Sequence, residues 1–243
     1  MPDPLAGLTG PGLRVIRHEH NRGYGAALKS GIRAAQYDLI AITDADDTYP
    51  DRRIPEFYHR MRAESLDMLV GARVGSGVKI PMLRRPAKWV LTQLANYLTD
   101  TRIPDLNSGL RLVRRSAIER FMSILPDGFS FTTTITLAML TKGYRVAYCP
   151  VEYARRSGRS KIRPLHDTLN FVQLIIRTVL YFNPLRVFIP LSVALAVCAV
   201  LVLVLSALFA RQVMDVTFGT LLVTAVNMLA VGMLADLIDK RLP

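Results

Sequence analysis

The chain has 243 residues, of which 51% are hydrophobic, and a formal net charge of +12. This length allows one domain of about 150–190 residues and a smaller second part. Cys149 and Cys198 are far apart in the sequence, so they imply no disulfide or zinc framework. The basic residues show no stripe of interleaved aromatic residues, so we expect no nucleic-acid partner.

Strand-like and helix-like segments alternate along the first two thirds of the chain. The predicted strands are 13–16, 37–42, 67–73, 106–113 and 145–153. The predicted helices are 26–37, 50–64, 88–98 and 131–142. This alternation predicts an α/β domain with a parallel sheet covered by helices.

Two carboxylates follow the apolar strand predicted at 37–42. Asp44 and Asp46 are one residue apart, so both can reach one cation at the end of that strand. Mg²⁺ and Mn²⁺ take oxygen ligands and often combine one or two carboxylates with substrate phosphates. The alternative is an acidic turn without a metal, because aspartate is common where strands end.

A dense basic segment lies at residues 155–163. Arginine binds phosphate oxygens in a bidentate manner, and lysine acts as a point charge. The segment therefore indicates phosphate binding, and the alternative is contact with anionic lipid headgroups alone. Its five basic residues are Arg155, Arg156, Arg159, Lys161 and Arg163.

The C-terminal third reads as a membrane region. Residues 165–182 form a predicted amphipathic helix, and the runs 187–209 and 216–235 contain no charged residue. Each run is long enough to cross a hydrocarbon core of about 30 Å, whereas the alternative is a pair of buried core helices. We therefore expect a domain at 1–164, an interfacial helix at 165–186 and a transmembrane hairpin at 187–243.

The flanking charges predict the orientation of this hairpin. Arg177 and Arg186 precede the first span, Lys240 and Arg241 follow the second, and only Arg211 lies in the connecting loop. Basic residues accumulate on the cytoplasmic side of membranes. The prediction is a multi-pass protein of the inner membrane with both termini in the cytoplasm.

Five motifs occur in an order that resembles family 2 glycosyltransferases. Residues 21–28 resemble the N-x-G-x-G-x-A helix start, 44–46 the D-x-D motif, 70–73 the strand after it, and 107–112 the S-G-F-R-L segment. Residues 155–161 are similar to the R-x-x-G-x-S-K signature of the polyprenyl-phosphate branch, which includes dolichol-phosphate mannosyltransferase and undecaprenyl-phosphate glycosyltransferases.

The resemblance implies a role for each motif residue. Asp44 and Asp46 would hold Mg²⁺ or Mn²⁺, and Asp46 and Asp105 would be the catalytic pair, with Asp105 orienting or binding. The alternative for Asp105 is an Asx turn. Arg111 would contact the acceptor phosphate, and the alternative for it is a surface ion pair. The implied substrate-binding residues are Arg73, Arg111, Arg155, Arg159, Ser160 and Lys161.

The resemblance also implies an activity. The chain would transfer a sugar, with inversion, from a UDP- or GDP-sugar to a polyprenyl phosphate at the cytoplasmic membrane face, and a homo-oligomer is left open. One alternative is a non-catalytic membrane-bound remnant or scaffold. Another is a processive polysaccharide synthase, which the absent Q-x-x-R-W motif disfavours.

The beginning of the sequence departs from the family pattern. Family members open with a V-V-I-P-x-x-N-E strand and a second strand ending in D-D-G-S, and neither occurs here. The expected fold is therefore an N-terminally truncated nucleotide-diphospho-sugar transferase domain of the GT-A, Rossmann-like type. The amphipathic helix and the two-helix hairpin would follow it.

Overall fold

A computed structural model describes residues 10–73, 92–97, 99–128, 130–154, 176, 180–181, 183–209 and 214–241. Its strands are β1 (Leu39–Ile42), β2 (Met68–Arg73), β3 (Arg111–Arg114) and β4 (Val146–Val151). Its helices are α1 (Tyr24–Ala34), α2 (Ile54–Ala63), α3 (Arg115–Glu119), α4 (Phe131–Thr141), α5 (Leu185–Phe209) and α6 (Asp215–Arg241). A 3₁₀ turn, Asp51–Arg53, precedes α2, and residues 92–97 are helical.

The four strands form one mixed sheet in the order β1-β3-β2-β4. β2 and β4 are parallel, but β3 is antiparallel to both of its neighbours. The prediction of a purely parallel sheet was therefore wrong. An alternation of strands and helices indicates the α/β class, but strand direction is set by the connections and by pairing between distant residues.

Two of the predicted strands differ in the structure. Residues 13–16 are not a strand, and Leu13 and Ile16 are 53% and 42% exposed. An apolar run becomes a strand only where a neighbour supplies ladder hydrogen bonds, and in the described part of the chain β1 pairs with β3 alone. The strand predicted at 106–113 is confined to β3, because residues 106–110 form a loop, of which only residues 108–110 are buried.

The sheet lies between two apolar layers. On one face, Ile32 of α1, Ile118 of α3 and Ile135 of α4 pack against strand residues such as Val70 and Val113. The opposite face packs against α2, and its buried residues include Phe57, Met61, Leu69 and Leu112. A domain with helices on both faces of a sheet agrees with the predicted α/β class.

Helices α5 and α6 contain the two uncharged runs of the sequence. They are 25 and 27 residues long, and both are long and apolar enough to cross a membrane. The Ser192 hydroxyl donates to the Ala225 carbonyl at 2.7 Å, and Gly232 lies directly against Phe188. The two helices therefore pack together as the sequence predicts for a hairpin.

The first turn of α5 contacts the sheet domain. The Arg186 guanidinium donates to the Tyr97 carbonyl at 2.8 Å and lies 3.4 Å from the Asp100 carboxylate. Val187 packs against the small cluster formed by Ala95, Ile103 and Leu137. The amphipathic helix predicted at 165–182 and the boundary at 164 fall almost wholly outside the described residues and stay predictions.

Candidate functional site

The two acidic residues lie where β1 ends. β1 and β3 pair with Ile42 opposite Arg111, and continuing this register places Asp44 opposite Gly109. A Cβ atom at Gly109 would collide with the Asp44 carboxylate. The absence of a side chain at residue 109 is therefore what allows the Asp44 carboxylate to occupy this place.

Both carboxylates are held by hydroxyl groups. The Thr48 hydroxyl donates to Asp46 Oδ1 at 2.5 Å, and the Thr48 N–H reaches the same oxygen at 3.3 Å. The Tyr24 hydroxyl donates to Asp44 Oδ1 at 3.1 Å. Burial and the neighbouring Asp44 charge raise the pKa of Tyr24, so this phenol stays protonated and remains a donor.

The residues present fit a divalent cation that shares its ligands with a substrate. Asp44 and Asp46 are both half-buried and supply hard oxygen ligands at one end of the sheet. Within the described ranges, no group of three or more His, Cys, Asp or Glu residues gathers around one point. Divalent cations of this kind often take further ligands from substrate phosphates and water.

Arg73 and Asp105 form a bidentate ion pair at the end of β2. Arg73 Nε and Nη2 donate to the two Asp105 oxygens at 2.6 and 2.9 Å, and the Arg73 N–H adds a third bond at 3.1 Å. The guanidinium also lies 5.3 Å from the centre of the Tyr153 ring, within range of a cation–π contact. Arg73 is thereby fixed with its side chain 26% exposed, whereas that of Asp105 is 8% exposed.

The same pair shifts the pKa values of its two members. Burial would raise the pKa of Asp105, but the hydrogen bonds and charge of Arg73 outweigh it and lower that pKa. Burial would lower the pKa of Arg73, but Asp105 outweighs it and raises that pKa. An aspartate stabilised as the anion is suited to orienting or binding and is a poor proton acceptor.

The loop before β3 is held by neutral hydrogen bonds. The Ser108 hydroxyl donates to the Gly71 carbonyl at 2.5 Å, and the Gly109 N–H donates to the Tyr49 hydroxyl at 2.8 Å. Tyr49 is itself buried and packs edge-to-face on Tyr153 at 5.2 Å. These contacts fix Gly109, and therefore fix the space that the Asp44 carboxylate occupies.

Arg111 lies inside the domain, with 1% of the residue exposed. Its guanidinium donates to the Ser108 carbonyl at 2.5 Å, the Thr132 carbonyl at 3.1 Å and the Thr136 hydroxyl at 3.2 Å. The alternative of a surface ion pair was therefore wrong, because the strand points this side chain into the core toward α4. An external phosphate reaches this guanidinium only if the surrounding residues move.

The glycines of the 21–28 motif serve the docking of α1. Gly23 has a φ of 99°, which favours glycine, and its N–H donates to the Asn21 side chain at 2.9 Å. A Cβ atom at Gly25 would collide with the backbone at Pro126. The missing side chains let the start of α1 lie against residues 126–128, where Lys29 forms a 2.7 Å ion pair with Asp127.

The structure brings some of the predicted site residues together. Asp44, Asp46, Arg73, Asp105 and the loop before Arg111 lie at one edge of the sheet, because β1 and β2 end where β3 begins. The remaining predicted residues, Arg155, Arg159, Ser160 and Lys161, lie outside the described residues.

Sequence reasoning missed the residues that hold the two aspartates and the Gly109 loop. Thr48 follows Asp46 by two residues, a spacing typical of an Asx turn, so its contact was open to prediction. Tyr24, Tyr49 and Thr136 carry no comparable local signal, because their contacts join residues 20 to 60 positions apart.

Comparison with known proteins agrees with the motifs. Residues 2–122 match the model of the family described as glycosyl transferase family 2. A dolichyl-phosphate hexose transferase of Haloferax volcanii is 31% identical over 154 residues, which cover 63% of this chain and 66% of that protein. A dodecaprenyl-phosphate galacturonate synthase of Rhizobium johnstonii is 25% identical over 246 residues, covering 96% of this chain and 72% of that protein.

A solved structure shows a weaker likeness. Glucosyl-3-phosphoglycerate synthase of Mycobacterium tuberculosis, in a complex with Mn²⁺, UDP-glucose and phosphoglyceric acid, aligns with a TM-score of 0.49 and 17% identity, over 70% of this chain and 57% of that one. Together, the ordered motifs, the mixed α/β sheet and the family match show that this chain belongs to glycosyl transferase family 2.

Proposed function

We propose that this protein transfers a sugar from a nucleotide-diphosphate sugar to the phosphate of a polyprenyl lipid, at the cytoplasmic face of a membrane and with inversion at the anomeric carbon. The observation that carries the proposal is the Asp44–Asp46 pair just after β1, with the Asp44 carboxylate lying against Gly109. In a family 2 domain this pair offers oxygen ligands where a diphosphate must be neutralised.

We assign Asp44 and Asp46 to a Mg²⁺ or Mn²⁺ ion. A bound divalent ion would act as a Lewis acid that stabilises the leaving nucleotide diphosphate. Thr48 and Tyr24 keep the two carboxylates oriented by donating hydrogen bonds to one oxygen of each. The nucleotide of the donor would be UDP or GDP, and the transfer assay described below compares the two.

We assign Arg73 to the binding of a substrate oxygen. Its Nε and Nη2 groups are occupied by Asp105, whereas Nη1 donates to no residue that the structure describes. Asp105 acts here through Arg73, because both of its oxygens accept bonds within the protein. In this proposal Arg155, Arg159, Ser160 and Lys161 bind phosphate oxygens of the donor or acceptor.

Two features support a polyprenyl phosphate as the acceptor. Relatives of this chain are named for dolichyl and dodecaprenyl phosphate. The chain also carries two helices that are long and apolar enough to cross a membrane, and α5 starts in contact with the domain that bears the aspartates. A lipid acceptor embedded beside this hairpin would present its phosphate at the membrane surface.

The test uses membranes that contain the whole chain. They are incubated with labelled UDP- and GDP-sugars and a polyprenyl phosphate, with and without Mg²⁺ or Mn²⁺. We expect one labelled sugar per lipid and dependence on the metal. Asp46→Ala should abolish transfer while the protein stays in the membrane, and Asp38→Asn, on an exposed aspartate at the start of β1, should leave transfer unchanged.

Other products would favour the alternatives. No labelled lipid with any common donor would contradict the proposal and favour a non-catalytic membrane protein. A labelled polymer would identify a processive synthase.

A further inference from the structure

Arg111 is a buried cation whose hydrogen-bond acceptors are all neutral. It is 1% exposed, and in the described part of the chain it forms no salt bridge. Its Nε atom is buried without a hydrogen-bond partner among those residues. A buried charge with neutral acceptors costs folding free energy, so packing alone does not account for an arginine at this position.

The contacts of Arg111 join two parts of the site. Nη2 donates to the carbonyl of Ser108, the residue directly before Gly109. Nη1 donates to the Thr132 carbonyl and the Thr136 hydroxyl, which lie in the first turns of α4. One planar side chain therefore ties the Ser108–Gly109 loop to a helix that is buried along most of its length.

The position of Gly109 in turn limits the position of Asp44. The Asp44 carboxylate fits against Gly109 with no space for even a Cβ atom between them. A small displacement of the Ser108–Gly109 loop therefore narrows or widens the space beside Gly109 that the Asp44 carboxylate occupies. Substitution of groups that hydrogen-bond a metal ligand commonly changes metal affinity by about 10- to 100-fold. Arg111 acts on Asp44 through the Ser108–Gly109 loop, so we take the lower end of this range as the guide.

We propose that Arg111 is a positioning residue that holds the Ser108–Gly109 loop at the distance that aims Asp44 at the divalent cation. The inference rests on the assignment of Asp44 and Asp46 to a metal, and it gives Arg111 no contact with substrate. The planar, multi-donor guanidinium can bond acceptors on two elements at once, as it does here with Ser108 and α4.

The test measures Mn²⁺ binding by the purified full chain in detergent, with Mn²⁺ alone as the probe and electron paramagnetic resonance of the free ion as the readout. Arg111→Lys keeps the charge but cannot reach the Ser108 carbonyl and α4 together. We expect it to weaken Mn²⁺ binding about tenfold or more. Arg114→Lys is the matched control, because Arg114 donates to the Leu66 carbonyl at the other end of β3.

Two further variants keep the test decisive if Arg111→Lys does not fold. Thr136→Val removes one acceptor without changing the size of the side chain, and Gly109→Ala pushes directly on the Asp44 carboxylate. Both should weaken Mn²⁺ binding, Gly109→Ala by about tenfold and Thr136→Val by a few-fold.

The outcomes separate the inference from the proposed function. If Asp44→Asn weakens Mn²⁺ binding while the Arg111, Thr136 and Gly109 variants lower only the melting temperature, the positioning role is overturned and the metal assignment stands. If Asp44→Asn leaves Mn²⁺ binding unchanged, the metal assignment fails and the inference fails with it.

Discussion

At the scale of single residues, the Arg73–Asp105 pair links charge to stability. Three hydrogen bonds from Arg73 stabilise the Asp105 anion, and its pKa lies below the ordinary value. A carboxyl group with a lowered folded-state pKa contributes stability above its unfolded-state pKa of about 3.9. That contribution disappears as the pH falls through the lower, folded-state pKa.

Asp105→Asn should therefore change the pH dependence of stability. We expect the unmodified protein to lose melting temperature more steeply than the variant as the pH falls below about 4, because only the unmodified protein must protonate a paired carboxylate. The measurement is the melting temperature of the detergent-solubilised chain at a series of pH values. Parallel curves for the two proteins would contradict the prediction.

Tyr49→Phe tests the support of the Gly109 loop. The variant keeps the buried ring but leaves the Gly109 N–H without its acceptor, which should cost about 1–3 kcal/mol of folding free energy. Denaturant unfolding provides the measurement. Tyr58→Phe is the control, because Tyr58 is 43% exposed, and an equal loss in both variants would show that the Tyr49 hydroxyl has no special role.

At the scale of elements, the loop before β3 shows how local pattern and tertiary contact differ. The strand predicted at 106–113 starts in the structure only at Arg111, because the Asn107 N–H bonds the Asp105 side chain and the Ser108 hydroxyl bonds Gly71. These contacts replace ladder pairing over part of the segment. The loop so formed carries Gly109 to Asp44, so the failure of the strand prediction coincides with the candidate site.

Helices α5 and α6 offer a second test at this scale. Gly232 of α6 lies against Phe188 of α5, whereas Gly219, also in α6, has nothing within 4 Å of the place where a Cβ would lie. Alanine in a helix interior is otherwise favoured over glycine by about 0.5–1 kcal/mol. We expect Gly232→Ala to lower the melting temperature in detergent and Gly219→Ala to leave it unchanged or raise it.

The comparison is decisive because both substitutions make the same chemical change. Equal shifts for Gly232→Ala and Gly219→Ala would mean that the two helices do not pack closely at Phe188. A loss confined to Gly232→Ala would support the packing of the hairpin.

At the scale of the whole molecule, the accessibility of the two cysteines tests whether α5 crosses the membrane. Cys149 is buried in β4, and Cys198 lies on the exposed surface of α5, about 20 Å from its start at 1.5 Å per residue. The helix is about 37 Å long, so Cys198 would lie near the middle of a hydrocarbon core of about 30 Å.

Cys149→Ala leaves Cys198 as the single cysteine. In intact membranes we expect no labelling by a charged maleimide, and full labelling once detergent and denaturant remove the bilayer. Adding Tyr37→Cys, at a position that is 80% exposed on the sheet domain, supplies a positive control for access. Rapid labelling of Cys198 before the bilayer is removed, in sealed vesicles or in open membrane sheets, would show that α5 does not span the bilayer.

The sequence by itself determined those features that depend on neighbours along the chain. The Asp-x-Asp pair after an apolar strand, the glycines at the start of α1 and the two uncharged runs are local signals. They were enough to indicate the family and two helices that are long and apolar enough to cross a membrane. Hydrophobic patterning and the length of the uncharged runs account for this success, because both are properties of continuous segments of the chain.

Only the tertiary structure decided the direction of β3, the burial of Arg111 and the meeting of Asp44 with Gly109. Each depends on which distant segments pair: Asp44 and Gly109 are 65 positions apart, and Arg111 and Thr136 are 25 apart. The register between β1 and β3 brings the first pair together, and the packing of α4 on the sheet brings the second. Contacts of this kind arise from the summed burial of the whole core, which no short stretch of sequence encodes.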